Sequence, residues 1–260
     1  MSVKAKKHLG QHFLVDPNIS KKIALQFSGH LNCNRVLEIG PGMGALTRHL
    51  LEHPLIKEVI VMEIDTESID YLTVHFPELK GRIYSTDFLK VDLKELIGGS
   101  PFAVVGNFPY NISSQILFQC IDYKDIIPEI MGMFQKEVAE RVAEKPGSKT
   151  YGILSVLLQT YYDIEYCFTV DEKVFHPPPK VKSGVIRCKR NNRNNLPCDE
   201  KLYKQVVKAT FNQRRKTVRN GLKSICSIPA EENHPLLTQR PEKLGVEEFI
   251  ALTQWVSQFV

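Results

Sequence analysis

This sequence predicts an α/β fold, a mainly parallel sheet covered by helices on both faces, followed by a small all-helical C-terminal domain. Three observations carry that expectation. Short β-branched runs alternate with helical patterns between about residues 35 and 134. A glycine-rich turn, Gly40-Pro41-Gly42-Met43-Gly44, joins the first run to the helix after it. Beyond residue 197 the apolar spacing is helical to the end of the chain.

Taken in order, the first helix starts near Pro17, where Asp16 is a fitting N-cap and Ile19, Ile23, Ala24 and Phe27 form one apolar stripe. Ahead of it, residues 8–14 make an arm too apolar and aromatic for a disordered tail, so it is expected to fold onto the rest. Strands follow at residues 35–39, 59–63, 82–85, 102–106 and 130–134, with helices at 44–52, 67–75 and 113–121. Two further runs, 161–169 and 183–189, are separated by a loop containing Pro177-Pro178-Pro179, too short for a crossover helix. They should pair antiparallel at one edge of the sheet. The polar stretch 191–197 marks a boundary, giving domains of residues 1–192, with an arm at 1–15, and 193–260. In the second, Leu202, Val206 and Ala209 share one face while Val218, Leu222 and Ile225 fall on another, which requires a break near residues 212–214. A last helix runs over about 246–259, with Phe249, Leu252, Val256 and Phe259 inward.

A chain of 260 residues with 43% hydrophobic content can bury a full core. Its basic N-terminus leads into no apolar segment, and no stretch approaches the roughly 18 apolar residues of a membrane span, so a cytoplasmic protein without a membrane partner is expected. The six cysteines are scattered and form no C-x-x-C pair, which reads as reduced thiols and no metal site. Charge is segregated: residues 173–224 hold 15 Lys or Arg against two acids, a net +13, leaving −8 for the remainder. That asymmetry marks a polyanion-binding surface, RNA or DNA first. Lys180, Lys204, Lys208, Arg214, Arg215, Lys216 and Arg219 are the candidate phosphate contacts; solubilising the surface is the competing role.

The run Val36-Leu37-Glu38-Ile39-Gly40-Pro41-Gly42 lets backbone approach a ligand at the carboxyl edge of a sheet. Gly40, Gly42 and Ala45 also satisfy a dinucleotide pattern, with Glu63 about 20 residues on, so a nicotinamide-dependent enzyme stays open on these residues alone. The spacing E-x-G-x-G-x-G from Glu38 to Gly44 is the form usual in S-adenosylmethionine enzymes, with Glu63 then accepting from a ribose diol. Asp87 either meets the adenine amino group of such a ligand, with Phe88 on the purine, or caps a helix. Gly40, Glu63, Asp87 and Asn107 end successive strands and so converge on one rim.

Asn107-Phe108-Pro109-Tyr110 closes the strand at 102–106. An exocyclic adenine nitrogen is a poor nucleophile until acceptors hold both its hydrogens. The Asn107 side-chain oxygen is one acceptor, and Pro109, which forbids a helical turn, can present a backbone carbonyl as the other. Tyr110 offers a flat face for a base.

Together with Leu9-Gly10-Gln11-His12-Phe13-Leu14, Gln135-Lys136-Glu137-Val138, Phe175-His176-Pro177-Pro178-Pro179-Lys180-Val181 and Phe211-Asn212-Gln213-Arg214-Arg215-Lys216-Thr217, these motifs resemble the rRNA adenine N6-methyltransferases over essentially the whole chain. The likeness is to the small-subunit dimethyltransferases of the kasugamycin-resistance type. It implies a Rossmann-like class I methyltransferase sheet, an RNA-binding helical domain and S-adenosyl-L-methionine as cofactor. By position it makes His12, Leu14, Gly40, Glu63, Asp87 and Asn107 cofactor contacts, Asn107, Pro109 and Tyr110 catalytic, and Phe175 an aromatic near the target base. The implied reaction dimethylates N6 of two adjacent adenosines in a hairpin near the 3′ end of 16S rRNA in the small ribosomal subunit, by a monomer without a metal. Two residues depart from the pattern. His12 stands where asparagine is common, and Phe108 where leucine is frequent. The alternatives are a large-subunit (23S) enzyme of the macrolide-resistance type, against which the motif at 211–217 speaks, and a fold relative acting mainly in assembly, against which the intact ligand-binding residues speak.

Overall fold

A computed structural model describes residues 3–260; Met1 and Ser2, the start of the expected arm, lie outside the described residues. The arm folds back as expected, forming a short strand β1 (Phe13–Leu14). Helix α1 (Pro17–Ala24) begins where the cap predicts, the Asp16 carboxylate accepting the Asn18 and Ile19 N–H groups at 2.8 and 3.4 Å. There follow β2 (Arg35–Ile39), α2 (Thr47–Leu51), β3 (Glu58–Glu63), α3 (Thr66–His75), β4 (Ile83–Ser85), α4 (Leu93–Ile97), β5 (Ala103–Asn107) and α5 (Ser113–Asp122). Next come β6 (Glu129–Gln135), α6 (Lys136–Ala143), α7 (Ile153–Gln159), β7 (Tyr162–Val170), β8 (Phe175–His176) and β9 (Ser183–Arg190). The chain ends in α8 (Glu200–Asn212), α9 (Val218–Leu222) and α10 (Val246–Val256).

Among the described residues one sheet has seven strands in the order β4-β3-β2-β5-β6-β9-β7. The pairs β2–β3, β3–β4, β2–β5 and β5–β6 are parallel and β6–β9 is antiparallel. Arg187 pairs with Glu165 at 2.6 Å and the Asn191 N–H meets the Tyr161 carbonyl, a register that steps in opposite directions along β9 and β7, as the short connection requires. The middle strands are covered on both faces, which is why Val36-Leu37, Val59 to Met62 and Ala103 to Val105 read as unbroken apolar runs. Each fully buried Leu, Ile or Val there contributes about 1.5–3 kcal/mol relative to exposure. From β2 the chain moves outward through β3 and β4, then returns to lay β5 and β6 on the other side of β2. That reversal opens a crevice beyond the carboxyl ends of β2 and β5, between Gly40 and Asn107.

Two glycines in register, Gly106 on β5 and Gly132 on β6, make a seat for the Phe108 ring. Phe108 is 1% exposed and packs on Phe134 at 4.9 Å between centroids. The departure from leucine at this position therefore lies in packing, beneath the Asn107–Tyr110 turn.

The chain divides into two compact units: residues up to Glu140 with Asp163–Arg190, and Arg141–Tyr162 with Asn191–Val260. The sequence predicts a single cut near residue 192; the structure differs because α7 belongs with the C-terminal helices. Leu154, Val156, Leu157 and Leu158 are all buried, and the Thr160 hydroxyl at the end of α7 bonds the Tyr203 hydroxyl of α8 at 2.8 Å. A helix buried all round carries no amphipathic stripe, so its period was not visible. The expected break is present: α8 stops at Asn212, and α9 starts at Val218 with Gly221 against the backbone of Thr210.

Candidate active site

The crevice is a cavity of about 210 Å³ within the sheet unit. Its walls bring together eight of the residues singled out from sequence: His12, Leu14, Gly40, Glu63, Asp87, Asn107, Pro109 and Tyr110. They arrive on the arm and on the ends of β2, β3, β4 and β5, as the order of the strands dictates.

Glu63 ends β3 and is 6% exposed. One carboxylate oxygen accepts the Gly42 N–H at 3.1 Å; the other accepts from Ile64 and Asp65 at 2.8 and 3.0 Å. Burial pushes its pKa up, and these three N–H groups pull it partly back. The oxygen facing Gly42 keeps one lone pair for a ribose hydroxyl, whereas bidentate capture of a diol requires the other oxygen to yield one backbone partner. Gly42 itself has φ +54°, and a Cβ there would lie 2.9 Å from the Phe13 ring, so the turn accepts no side chain while the arm is closed on it.

Glu38, in β2, is 1% exposed with the Thr47 hydroxyl donating to it at 2.6 Å. Burial raises its pKa from an ordinary 4.5 to about 8 against the opposing Thr47 bond, and the charge of Glu63 adds to the rise. Since the folded value is the higher, the stability this group confers is complete below about pH 4.5 and is lost as pH rises through about 8. Glu38→Gln should remove that decline, so urea midpoints of variant and wild type should diverge from pH 5 to pH 9 in the variant's favour; parallel curves would contradict it.

Asp87 makes the cap weighed for it and also stands on the cavity wall. It accepts the Leu89 N–H at 3.0 Å, with the Lys90 ammonium 3.4 Å away. Phe88 is turned into the core at 3% exposure; Leu89 is the apolar residue on the cavity wall. The expectation that Phe88 packs on a purine is corrected accordingly.

Sequence reasoning missed what holds the arm. Lys6 pairs with Asp65 and, at 3.2 Å, with Glu67, and the Gln11 amide donates to Asp65 at 3.2 Å, as does the Ser68 hydroxyl at 2.9 Å. Gln11 lies in the arm motif at residues 9–14 and Asp65 two residues after Glu63, but nothing local joins residues so far apart. Burial pushes the Asp65 pKa up, and the bonds from Lys6, Gln11 and Ser68 outweigh it, leaving the group below its ordinary value. Its contribution is therefore present above the unfolded pKa and lost as pH falls through the folded one. Asp65→Asn should speed amide exchange at Leu9, Gly10 and Gln11 by about tenfold at neutral pH, the effect of one charge-assisted bond; unchanged exchange would show the latch to be idle.

At the turn that closes β5, the Asn107 amide donates through Nδ2 to the His12 carbonyl at 3.0 Å. Its oxygen receives no protein donor among the described residues and is left as an acceptor at the cavity. The Pro109 carbonyl, expected as the second acceptor, already takes the Ile112 N–H at 3.1 Å and retains only its other lone pair. Tyr110 bonds the Ser183 hydroxyl at 2.6 Å, and burial raises its pKa against that bond, so it stays protonated. Its ring is stacked with His12, centroids 5.6 Å apart and planes 27° apart, while His12 Nδ1 meets the Pro177 carbonyl at 2.8 Å.

Three sequence expectations are displaced. Phe175 pairs with Leu14 across β8 and β1, is 3% exposed and joins the core, so it presents no face to a base in the cavity. Arg219 spends its guanidinium on the Pro229 and Glu232 carbonyls at 2.6 and 2.8 Å, bracing a loop within the helical unit. Arg214 likewise bonds the Tyr151 carbonyl at 3.2 Å. Lys208, Arg215 and Lys216 are exposed, as is Lys180 on its loop, and Lys204 is half-buried beside Lys208 on the outer face of α8.

The model of the ribosomal RNA adenine dimethylase family matches residues 2–252. A relative from Flavobacterium johnsoniae named ribosomal RNA small subunit methyltransferase A is 58% identical over 254 residues, covering 97% of this chain and 95% of its own. Its namesake from Cytophaga hutchinsonii is 58% identical over 255 residues, with 98% of both chains covered. Among solved structures, a dimethyladenosine transferase from Plasmodium falciparum superimposes with a TM-score of 0.78 at 23% identity, over 95% of this chain and 98% of that one. The 23S rRNA methyltransferase ErmE does so at 0.64 and 24%, over 93% and 99%. These last two likenesses establish the shared fold, the class I methyltransferase sheet.

Proposed function

The chain belongs to the ribosomal RNA adenine dimethylase family, and on that premise we propose that it dimethylates N6 of two adjacent adenosines in a hairpin near the 3′ end of 16S rRNA, as a monomer acting on the small ribosomal subunit in the cytoplasm. The observation that carries this reading is the Asn107 amide: its NH₂ is held by the arm, so its oxygen faces the cavity that Glu63 also lines. The residues fit S-adenosylmethionine. Glu63 offers a carboxylate for the ribose, Asp87 an acceptor for the adenine amine, and Gly40 and Gly42 a backbone cradle. When bound, the cofactor supplies an electrophilic methyl group.

This chain's own residues then have three tasks. Asn107 and the remaining lone pair of the Pro109 carbonyl accept the two N6 hydrogens and localise the nitrogen lone pair. Tyr110 holds the ring in plane, and the arm with Leu14 and Phe13 excludes water from the reacting atoms. For the second methylation a single N–H remains, and the Asn107 oxygen suffices to hold it. Lys180 on the sheet unit, and Lys204, Lys208, Arg215 and Lys216 on the helical unit, are proposed as phosphate contacts for an RNA recognised by shape. The 58% identity to proteins named for the small subunit supports that substrate over the large one.

Unmethylated small and large subunits, incubated separately with the protein and labelled S-adenosylmethionine, provide the test. Nucleoside mass spectrometry should find N6,N6-dimethyladenosine in the small-subunit RNA. Its confinement to the large subunit would overturn the assignment.

A further inference from the structure

The Tyr110 side chain is gripped at two places. The His12 ring, on the arm, is stacked on one face at 5.6 Å between centroids, so a base is left with the other face. The far end of the ring is held from the sheet: its hydroxyl lies 2.6 Å from that of Ser183, the first residue of β9. Ser183 is 0% exposed, and Tyr110 is the one hydrogen-bond partner of its side chain among the described residues. We infer that Ser183 is a positioning residue for methyl transfer, holding the Tyr110 ring in register with the Asn107 oxygen. The inference rests on the adenine chemistry proposed above and adds the residue that aligns its base platform.

The register comes from strand pairing. On β6, Met133 lies opposite Asn107 of β5 and, two residues on, Gln135 lies opposite Ser183 of β9. The preceding residue is fixed as well, the Lys182 carbonyl accepting the Lys136 N–H at 2.9 Å. Because β9 runs antiparallel to β6, its first residue stands at the rim where β5 ends. One strand therefore sets both Asn107 and Ser183, and the bond from Ser183 refers the ring to the frame that carries the acceptor. The Tyr110 backbone supplies no such reference. Its turn is closed by the Ile112 N–H on the Pro109 carbonyl at 3.1 Å and the Ser113 hydroxyl on the Tyr110 carbonyl at 3.2 Å, bonds that leave the ring untouched. A tyrosine fixed only at its backbone turns about two torsions, and anchoring its hydroxyl restrains both. Removing the Ser183 hydroxyl leaves the phenol unpaired, and an unpaired buried donor is driven to rotate toward a new partner. The ring should then leave the plane that suits the base.

Single turnovers on small subunits, with saturating protein and S-adenosylmethionine, test this. Ser183→Ala should lower the saturated rate about tenfold, the consequence of a misplaced platform, while subunit affinity read by filter binding changes less than about twofold. Tyr110→Phe cuts the same bond from its other end and should also be slower than wild type. The double variant, with neither hydroxyl left unpaired, should be no slower than the slower single variant. Effects that multiply, to about a hundredfold in the double variant, would show Ser183 acting on something other than the ring and would overturn the inference. So would an unchanged rate with weakened subunit affinity. Tyr110 is half-buried and on a turn, so Tyr110→Phe leaves the strand intact and decides the matter if Ser183→Ala does not fold: a wild-type rate in that variant would overturn the inference by itself. A wild type that leaves small-subunit adenines unmethylated would remove the proposed reaction; the role of Ser183 fails alone if the wild type methylates and the hydroxyl deletions leave its rate intact.

Discussion

Asn107→Ala should slow single-turnover methyl transfer by about 10²–10³-fold, the usual consequence of deleting one preorganised polar contact to a reacting group. The side chain has two duties in this geometry. Its oxygen is an acceptor at the cavity, and its NH₂ ties the arm to the turn through the His12 carbonyl at 3.0 Å. Because Asn107 is only half-buried and makes that single bond, the loss of folding stability should be about 1 kcal/mol, or roughly 2–4 °C in melting temperature. Dimethyladenosine counted by mass spectrometry, beside a melting curve of the same sample, separates the two effects. A variant of undiminished activity would remove Asn107 from the chemistry, and a variant that fails to fold would mean the turn is held by it more than the contacts indicate.

Gly132→Ala should be the most damaging single methyl group in the sheet. The added Cβ would lie 2.3 Å from the Phe108 ring and 2.5 Å from the Gly106 carbonyl oxygen. A side chain can rotate away; the backbone of a central parallel strand cannot. Overpacking of this kind costs about 3 kcal/mol or more, roughly 6–12 °C in a protein of this size. The chemistry should suffer in the molecules that remain folded, since displacing Phe108 moves Asn107 and Pro109 on either side of it. Phe108→Leu alone should cost about 1 kcal/mol and keep most activity, as an apolar exchange. Combined with Gly132→Ala it should restore only part of the stability, because the Gly106 oxygen still blocks the methyl. Full recovery in the double variant, read by denaturant midpoint, would show that the ring was the sole obstacle.

Much of this was legible because the relevant signals are local. Buried parallel strands announce themselves as apolar runs, Asp16 and Pro17 fix a helix start, and the glycine turn and the Asn107 tetrapeptide each sit at a strand end, so alternation alone predicts that they meet. What stayed hidden depends on contacts between distant residues. The latch of Lys6 and Gln11 on Asp65 joins residues more than fifty positions apart, and Ser183 as partner of Tyr110 comes from a strand that sequence could place only at the sheet edge. Helix α7 carries no stripe because every side of it is covered. Phe175 and Arg219 show the converse limit: an aromatic in a loop motif and a cation in a basic run have the composition of contact residues, yet one fills the core and the other braces backbone carbonyls. Sequence specifies the residue type; which way it turns is decided by neighbours that periodicity does not show.

In the proposed reaction, methyl donor and target base meet in the crevice between β2 and β5. A crystal structure of the protein with S-adenosylmethionine bound measures it directly. The ribose hydroxyls should lie within hydrogen-bonding distance of the Glu63 carboxylate, with the methyl group aimed at the space beside the Asn107 side-chain oxygen. Density for the cofactor outside this cavity, or with its methyl turned away from Asn107, would contradict it.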